Sequence, residues 1–165
     1  MGLRVGIVGA TGVVGRMMLR ILEERGLAID ELRPMATASS VGLELTFRGE
    51  TIRVVEARHE AFDGLDFALF SAGATASRAL APLAVDAGCV VIDNSSAWRL
   101  DDRVPLVVPE VNPQDARVHR GIVANPNCCA IPLTVVLKPV SDLSPLRRWW
   151  GGPAPAAPRP RGQVV

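Results

Sequence analysis

Apolar and polar positions change period several times along this chain. An apolar stretch at Arg4-Val5-Gly6-Ile7-Val8 runs straight into glycines at 9, 12 and 15. The spacing then becomes helical, with Val14, Met17, Met18, Ile21 and Leu22 on one face as far as Gly26. Leu32 to Ala36, Asp66 to Ser71, Cys89 to Ile92 and Gly121 to Ala124 read as further strands. A helix is predicted from about Thr75 to Ala87, with Leu80, Leu83 and Ala84 inward and Gly88 capping it. Another follows Ala130. Leu43 to Phe47 and Thr51 to Val55 flank Arg48-Gly49-Glu50, a hairpin inserted between sheet strands. There is no internal repeat. Strands alternating with helices predict an α/β fold, a doubly wound and mostly parallel sheet. In such sheets ligands sit beyond the C-terminal ends of the strands.

Composition narrows the function. The 165 residues suffice for one domain with a core. A net charge of +1 argues against nucleic acid and against an anionic membrane as partner. Three cysteines, two of them adjacent, make no disulfide framework and point to the cytoplasm. The N-terminus has no signal-peptide pattern, and no stretch is long enough to span a membrane. His59 and His119 lie in polar surroundings, and no Cys/His spacing suggests a metal site.

The candidate chemistry sits on loops that follow strands. Gly9-Ala10-Thr11-Gly12-Val13-Val14-Gly15 stands between a strand and a helix, the context a Rossmann-like dinucleotide site requires. Its spacing is GxxGxxG rather than GxGxxG. The second strand ends in Thr37-Ala38-Ser39-Ser40, with no acid to hold a ribose 2′-OH. That leans toward NADP and leaves NAD open. Ser71-Ala72-Gly73 ends the next strand and joins the cofactor candidates. Arg99 is either an anion clamp or the partner of Asp101 or Asp102 in a surface salt bridge. Glu110 is either catalytic or a helix-start residue, the second being preferred. In Asn125-Pro126-Asn127-Cys128-Cys129 a turn enters a helix N-terminus, where open N–H groups and the helix dipole favour a thiolate. Cys128 is therefore a candidate nucleophile, the alternative being a cysteine buried in an apolar segment. Cys89 is assigned to the core.

Four of these segments occur together and in order: the glycine turn, Asn94-Ser95-Ser96-Ala97-Trp98-Arg99, Val108-Pro109-Glu110-Val111-Asn112 and Asn125-Pro126-Asn127-Cys128. Over residues 3 to 145 they resemble the N-terminal part of bacterial aspartate-semialdehyde dehydrogenase. The resemblance implies NADP, and L-aspartate 4-semialdehyde, its acyl phosphate and phosphate as small-molecule partners. It implies Cys128 as nucleophile, Thr11, Gly12, Val13 and Val14 as pyrophosphate contacts, and Arg99 with Asn127 at the substrate or phosphate. Ser39 and Ser40 become neighbours of the adenosine 2′-phosphate. The family's usual Ser-Ala-Arg-Ser is Thr37-Ala38-Ser39-Ser40 here, so its arginine is Ser39, and Cys129 replaces a typical serine. The family is homo-oligomeric, and it keeps its general base, its α-carboxylate clamp and its dimerising surface in a second domain. The other readings are a stand-alone nucleotide-binding module without catalysis, and an N-acetyl-γ-glutamyl-phosphate reductase. The latter usually carries Asn-Pro-Gly-Cys, where residue 127 here is Asn.

The expected organisation is a dinucleotide-binding domain over 1–145 and a disordered Pro- and Arg-rich tail over 146–165, with the second domain absent. The family continues near this point with Arg-Val-Val-Val-Ser-Thr. Loss of one G from CGG-GTG-GTG would turn Arg-Val-Val into Arg148-Trp149-Trp150, so a frameshift or a sequencing error near Arg148 is expected rather than a natural tail. Such a chain is expected to turn over semialdehyde poorly.

Overall fold

The computed structural model describes residues 2–144, so the expectations for the tail and for Arg148 lie outside the described residues. Six strands form a parallel sheet: β1 (Leu3–Val8), β2 (Ile29–Ala36), β5 (Val55–Glu56), β6 (Phe67–Phe70), β7 (Val90–Asp93) and β8 (Ile122–Ala124). Their order across the sheet is β5-β2-β1-β6-β7-β8. The chain winds outward from β1 in one direction and from β6 in the other, so the switch point lies between these two strands.

Successive side chains of β1 serve opposite faces, as a strand's period of two dictates. Ile7 packs with Ala10, Leu19, Ala36, Leu45, Phe47 and Val54 under α1 (Val13–Glu24) and the hairpin of β3 (Glu44–Phe47) and β4 (Glu50–Arg53). Val8 packs with Met35, Phe62, Phe70, Ala81, Ala84, Cys89 and Val91 under α2 (Ala74–Asp86). Both faces are therefore covered, which is why these strands read as continuous apolar runs. The sheet is doubly wound with an inserted hairpin, as the sequence predicts.

Three local expectations change. The apolar stripe of α1 is only half used: Val14, Met17 and Ile21 are exposed, while Gly15 and Leu19 are buried and Met18 and Leu22 pack against the core. The docking line of this helix is set by Gly15, which a hydrophobic count ignores. A Cβ on Gly15 would stand 2.2 Å from the Gly9 carbonyl oxygen, so only a glycine lets the helix come this close. Next, Thr51 to Val55 is not one strand. The hairpin ends at Arg53, and Val55–Glu56 pairs in parallel with Met35 and Ala36 at the sheet edge. Buried Val54 is the hinge between the two pairings. Finally, β2 begins three residues earlier than expected, at Ile29, and carries Pro34 within it.

The hairpin turn is a primed one, with both Arg48 (φ 52°) and Gly49 (φ 79°) in the left-handed region. Arg48 tolerates this because it is held. Its N–H donates to Glu23 Oε1 at 2.7 Å, its guanidinium reaches the Leu27 carbonyl, and its charge lies 4.9 Å from the Phe47 ring centre. After β8 comes α3 (Ala130–Leu143), none of whose residues is buried.

The close approach at Gly15 gives a discriminating test. Gly15→Ala is expected to destabilise the protein by about 2–3 kcal/mol in urea denaturation, because the clash is with backbone. Gly12→Ala should stay within about 1 kcal/mol. Gly12 has φ −74°, and its added Cβ would meet only the Gly9 oxygen, at 3.4 Å. Equal losses in the two variants would contradict the packing role assigned to Gly15.

Candidate functional site

The glycine turn lies at the switch point. Gly9 has φ +88°, and a Cβ there would come within 2.6 Å of the Ser71 carbonyl oxygen. The turn after β1 and the turn after β6 thus touch through a residue with no side chain. The N–H groups of Gly9 and Ala10 both donate to the Met35 carbonyl, which fixes the turn against β2 as well. Gly12 is the N-cap of α1 and makes no side-chain cap, so the first-turn N–H groups stay open toward a ligand. Gly73, with φ +84°, is the uncapped N-cap of α2 at the same edge.

A cavity of about 550 Å³ occupies this place. It is lined by Val8, Gly9, Thr11, Gly12, Ala36, Thr37, Ala38, Glu56, Ala57, Ser71, Ala72, Ala76 and Leu80. Of the sequence candidates it therefore gathers Gly9, Thr11, Gly12 and Ser71. Val13, Val14, Gly73, Ser39 and Ser40 do not line it. Val13 and Val14 are exposed on the first turn of α1. Ser39 and Ser40 lie in a short 3-10 turn at the rim, where the Ser39 hydroxyl is 3.1 Å from that of Thr37. The residues present fit a dinucleotide: side-chain-free backbone of Gly9 and Gly12 in the lining, two uncapped helix N-termini at the same edge, and apolar walls from Val8, Ala76 and Leu80.

Further along the same sheet edge, buried Asp93 shapes the loop after β7. Its carboxylate accepts from the Ser95 N–H at 3.0 Å and the Ser95 hydroxyl at 2.7 Å. Trp98 Nε1 donates to Ser77 Oγ of α2 at 2.8 Å, which ties this loop to the helix beneath it. Arg99 then donates from Nε to the Asn125 carbonyl at 2.8 Å and from Nη2 to the Asn94 carbonyl at 3.0 Å. The salt-bridge reading of Arg99 is thereby overturned. Asp101 is taken by Arg103, whose guanidinium holds the Asp101 carboxyl down at about 2. Both partners of Arg99 are neutral carbonyls, so no carboxylate among the described residues pairs with this half-buried guanidinium, and part of its donor fork is unused.

The Asn125 carbonyl that Arg99 grips opens the cysteine loop. Asn125 N–H donates to the Asp93 carbonyl, and Pro126 is buried. Asn127 builds the helix start. Its carbonyl accepts from Ala130 and Ile131, and its Oδ1 accepts from the Cys129 N–H at 2.9 Å and lies 3.5 Å from Cys128 Sγ. Cys128 and Cys129 are both exposed, which removes the buried reading of Cys128. Cys89 is core as expected, 2% exposed, its thiol facing the Phe62 and Leu65 carbonyls.

Glu110 is not a helix-start residue. It is exposed in a turn, and the 3-10 segment Pro113–Val118 is preceded by Asn112. The Asn112 amide accepts from Val108 N–H and donates to the Leu106 carbonyl and to Asp115. His119 accepts from the Gly121 N–H at the entrance of β8, the sheet edge opposite Cys128. Sequence reading missed Asp93 and Glu56. The position of Asp93 at the end of an apolar run was the available signal, whereas the two-residue strand of Glu56 left none in the sequence. Among the described residues no cluster of side chains could hold a metal ion, and no helix is long and apolar enough to cross a membrane.

The thiols give two expected outcomes. With limiting iodoacetamide, peptide mapping should find Cys128 labelled first and Cys89 last; preferential labelling of Cys89 or Cys129 would count against Cys128 as nucleophile. Burial pushes the Cys89 thiol above its ordinary 9.0. In the unfolded chain that thiol ionises first, so its contribution to stability is complete below about pH 9 and is lost as pH rises further. Cys89→Ala should flatten the alkaline fall in stability seen by urea denaturation while lowering stability at every pH.

The sequence matches the family described as semialdehyde dehydrogenase, NAD binding domain, over residues 4–119. It is 50% identical over 139 residues to the aspartate-semialdehyde dehydrogenase of Bacillus subtilis, covering 84% of this chain and 40% of that protein. It is 52% identical over 151 residues to that of Aquifex aeolicus, covering 90% of this chain and 44% of that protein. The fold superposes on aspartate semialdehyde dehydrogenase II of Vibrio cholerae, solved in complex with ASA, with a TM-score of 0.84 and 46% identity, over 86% of this chain and 47% of that one. The chain thus spans less than half the length of the relatives it matches. With the family match spanning the glycine turn, the cavity-lining strand ends and the Arg99 loop, the chain belongs to the semialdehyde dehydrogenase NAD-binding-domain family.

Proposed function

We propose that this chain supplies the cofactor site, the nucleophile and an anion clamp for the NADP-dependent interconversion of L-aspartyl 4-phosphate and L-aspartate 4-semialdehyde. The observation that carries the reading is the convergence at one sheet edge. The cavity sits over β1 and β6, Arg99 follows β7, and Cys128 follows β8. From β1 to β8 is three strand steps, roughly 14 Å at about 4.8 Å each. An extended dinucleotide with its pyrophosphate at the α1 N-terminus would reach along this edge toward the sulfur.

Bound dinucleotide supplies the hydride in the biosynthetic direction and takes it up in reverse. The remaining work falls to residues of the chain. Cys128 sulfur attacks the acyl phosphate carbon and phosphate leaves, giving a thioester. After reduction the sulfur departs as thiolate and the aldehyde is released. Sulfur suits both roles, since it adds readily and leaves readily. Arg99, uncompensated by any carboxylate among the described residues, would hold the departing or attacking phosphate. Thr11 and Gly12, with the exposed first turn of α1, would receive the pyrophosphate. Asn127 would keep the Cys128 thiol oriented. Under this reading the partners are small molecules, the assembly is a homo-oligomer as the resemblance implies, and the compartment is the cytoplasm.

Isothermal titration should show one saturable site for NADP, with NAD binding less tightly; absence of heat with either, in protein shown to be folded, would overturn the cofactor assignment. Incubation with aspartate semialdehyde and NADP in phosphate-free buffer should add one aspartyl acyl group to the Cys128 peptide by mass spectrometry. Cys128→Ser should abolish the adduct, and an adduct on Cys129 instead would move the nucleophile by one residue.

A further inference from the structure

We infer that Glu56 reads the adenosine 2′ position, accepting a hydrogen bond from a ribose hydroxyl and opposing a 2′-phosphate. This rests on the dinucleotide reading of the cavity. In doubly wound sheets the acid that reads the ribose stands at the C-terminal end of the strand after the glycine turn. Here that strand, β2, ends in Ala36-Thr37-Ala38-Ser39-Ser40, without an acid. The neighbouring strand delivers one. β5 pairs in parallel with β2 in the register Met35↔Val55 and Ala36↔Glu56, so Glu56 is level with the last residue of β2. The Ala57 N–H closes the pairing on the Ala36 carbonyl at 2.9 Å. Glu56 lines the same cavity as Gly9, Gly12, Thr37 and Ala38.

The charges around Glu56 leave it free to act. Among the described residues its carboxylate has neither a hydrogen-bond nor an ion-pair partner. Arg58, two residues on, pairs with Glu60 at 3.5 Å, each side chain 68% exposed. Arg33, the other cation lining the adjoining groove, is engaged by Glu31 and by the carbonyls of Ala61 and Asp63. No cation stands on the 3-10 turn Ala38–Ser40. A ribose 2′-hydroxyl can donate to such a carboxylate. A 2′-phosphate near neutral pH carries between one and two negative charges, and it meets a like charge. The position is solvated, so the effect is a several-fold bias and not exclusion. Glu56 therefore narrows a preference for NADP that the hydroxyls of Thr37 and Ser39 would otherwise set.

The test is titration of NADP, NAD, 2′,5′-ADP and 5′-ADP into the wild-type chain and into Glu56→Gln, which keeps the size of an exposed edge side chain. Glu56→Gln is expected to tighten 2′,5′-ADP and NADP by roughly three- to tenfold, and to weaken NAD and 5′-ADP slightly. The gain should shrink in 0.5 M salt as screening removes the repulsion. An unchanged NADP-to-NAD ratio, with both still binding, would overturn the inference and leave the dinucleotide reading standing. Failure of folded wild-type protein to bind any of the four would overturn both.

Discussion

The close approach of backbone to backbone around Gly9 is the constraint on which the rest depends. Three chain segments converge there: the turn after β1, the Ser71 carbonyl at the end of β6, and the first turn of α1 at Gly15. A single methyl group at Gly9 or Gly15 would overlap backbone atoms that have nowhere to move. Because the segments meet so closely, β1 and β6 can lie side by side although their connections run to opposite halves of the sheet. The gap between those halves is the cavity. Packing and ligand geometry thus follow from the same pair of missing side chains.

A second set of contacts carries this order across the sheet edge. Asp93 folds the loop after β7 back on itself, Trp98 anchors it to α2, and Arg99 joins it to the cysteine loop. These are polar contacts made by residues at strand ends, where backbone groups have left the sheet ladder and need other partners. The contacts that position Cys128 thus start at a buried carboxylate on the neighbouring strand, level with Ala124. Removing any member would loosen the sulfur without touching it.

Much of this was legible in the sequence, for identifiable reasons. A sheet buried on both faces writes apolar runs, and a glycine turn between a strand and a helix has few alternative structures. The alternation therefore revealed the architecture, while the strand order came from the structure. What stayed hidden came from pairings that local pattern does not encode. The α1 face was misjudged because Gly15, not a large apolar residue, decides which side docks. Arg99 looked like a partner for Asp101 because sequence proximity favours short-range ion pairs. The fold instead gave Asp101 to Arg103 and turned Arg99 toward carbonyls 26 and 5 residues away. Glu56 passed unnoticed because its strand is two residues long and gains meaning only from the Ala36 beside it.

The central position of β1 also shapes how the chain comes into being. One of its neighbours, β2, follows after a single helix. The other, β6, arrives late: Arg4 and Asp66, which clasp the start of this pairing, are 62 residues apart. At ~5–20 residues per second, synthesis of that interval takes roughly 3–12 s. During that time the open edge of β1, with Val5, Ile7 and Val8 destined for the core, has no strand to pair with. α1 is the first unit made that covers one of its faces, and the hairpin completes that cover before β6 emerges.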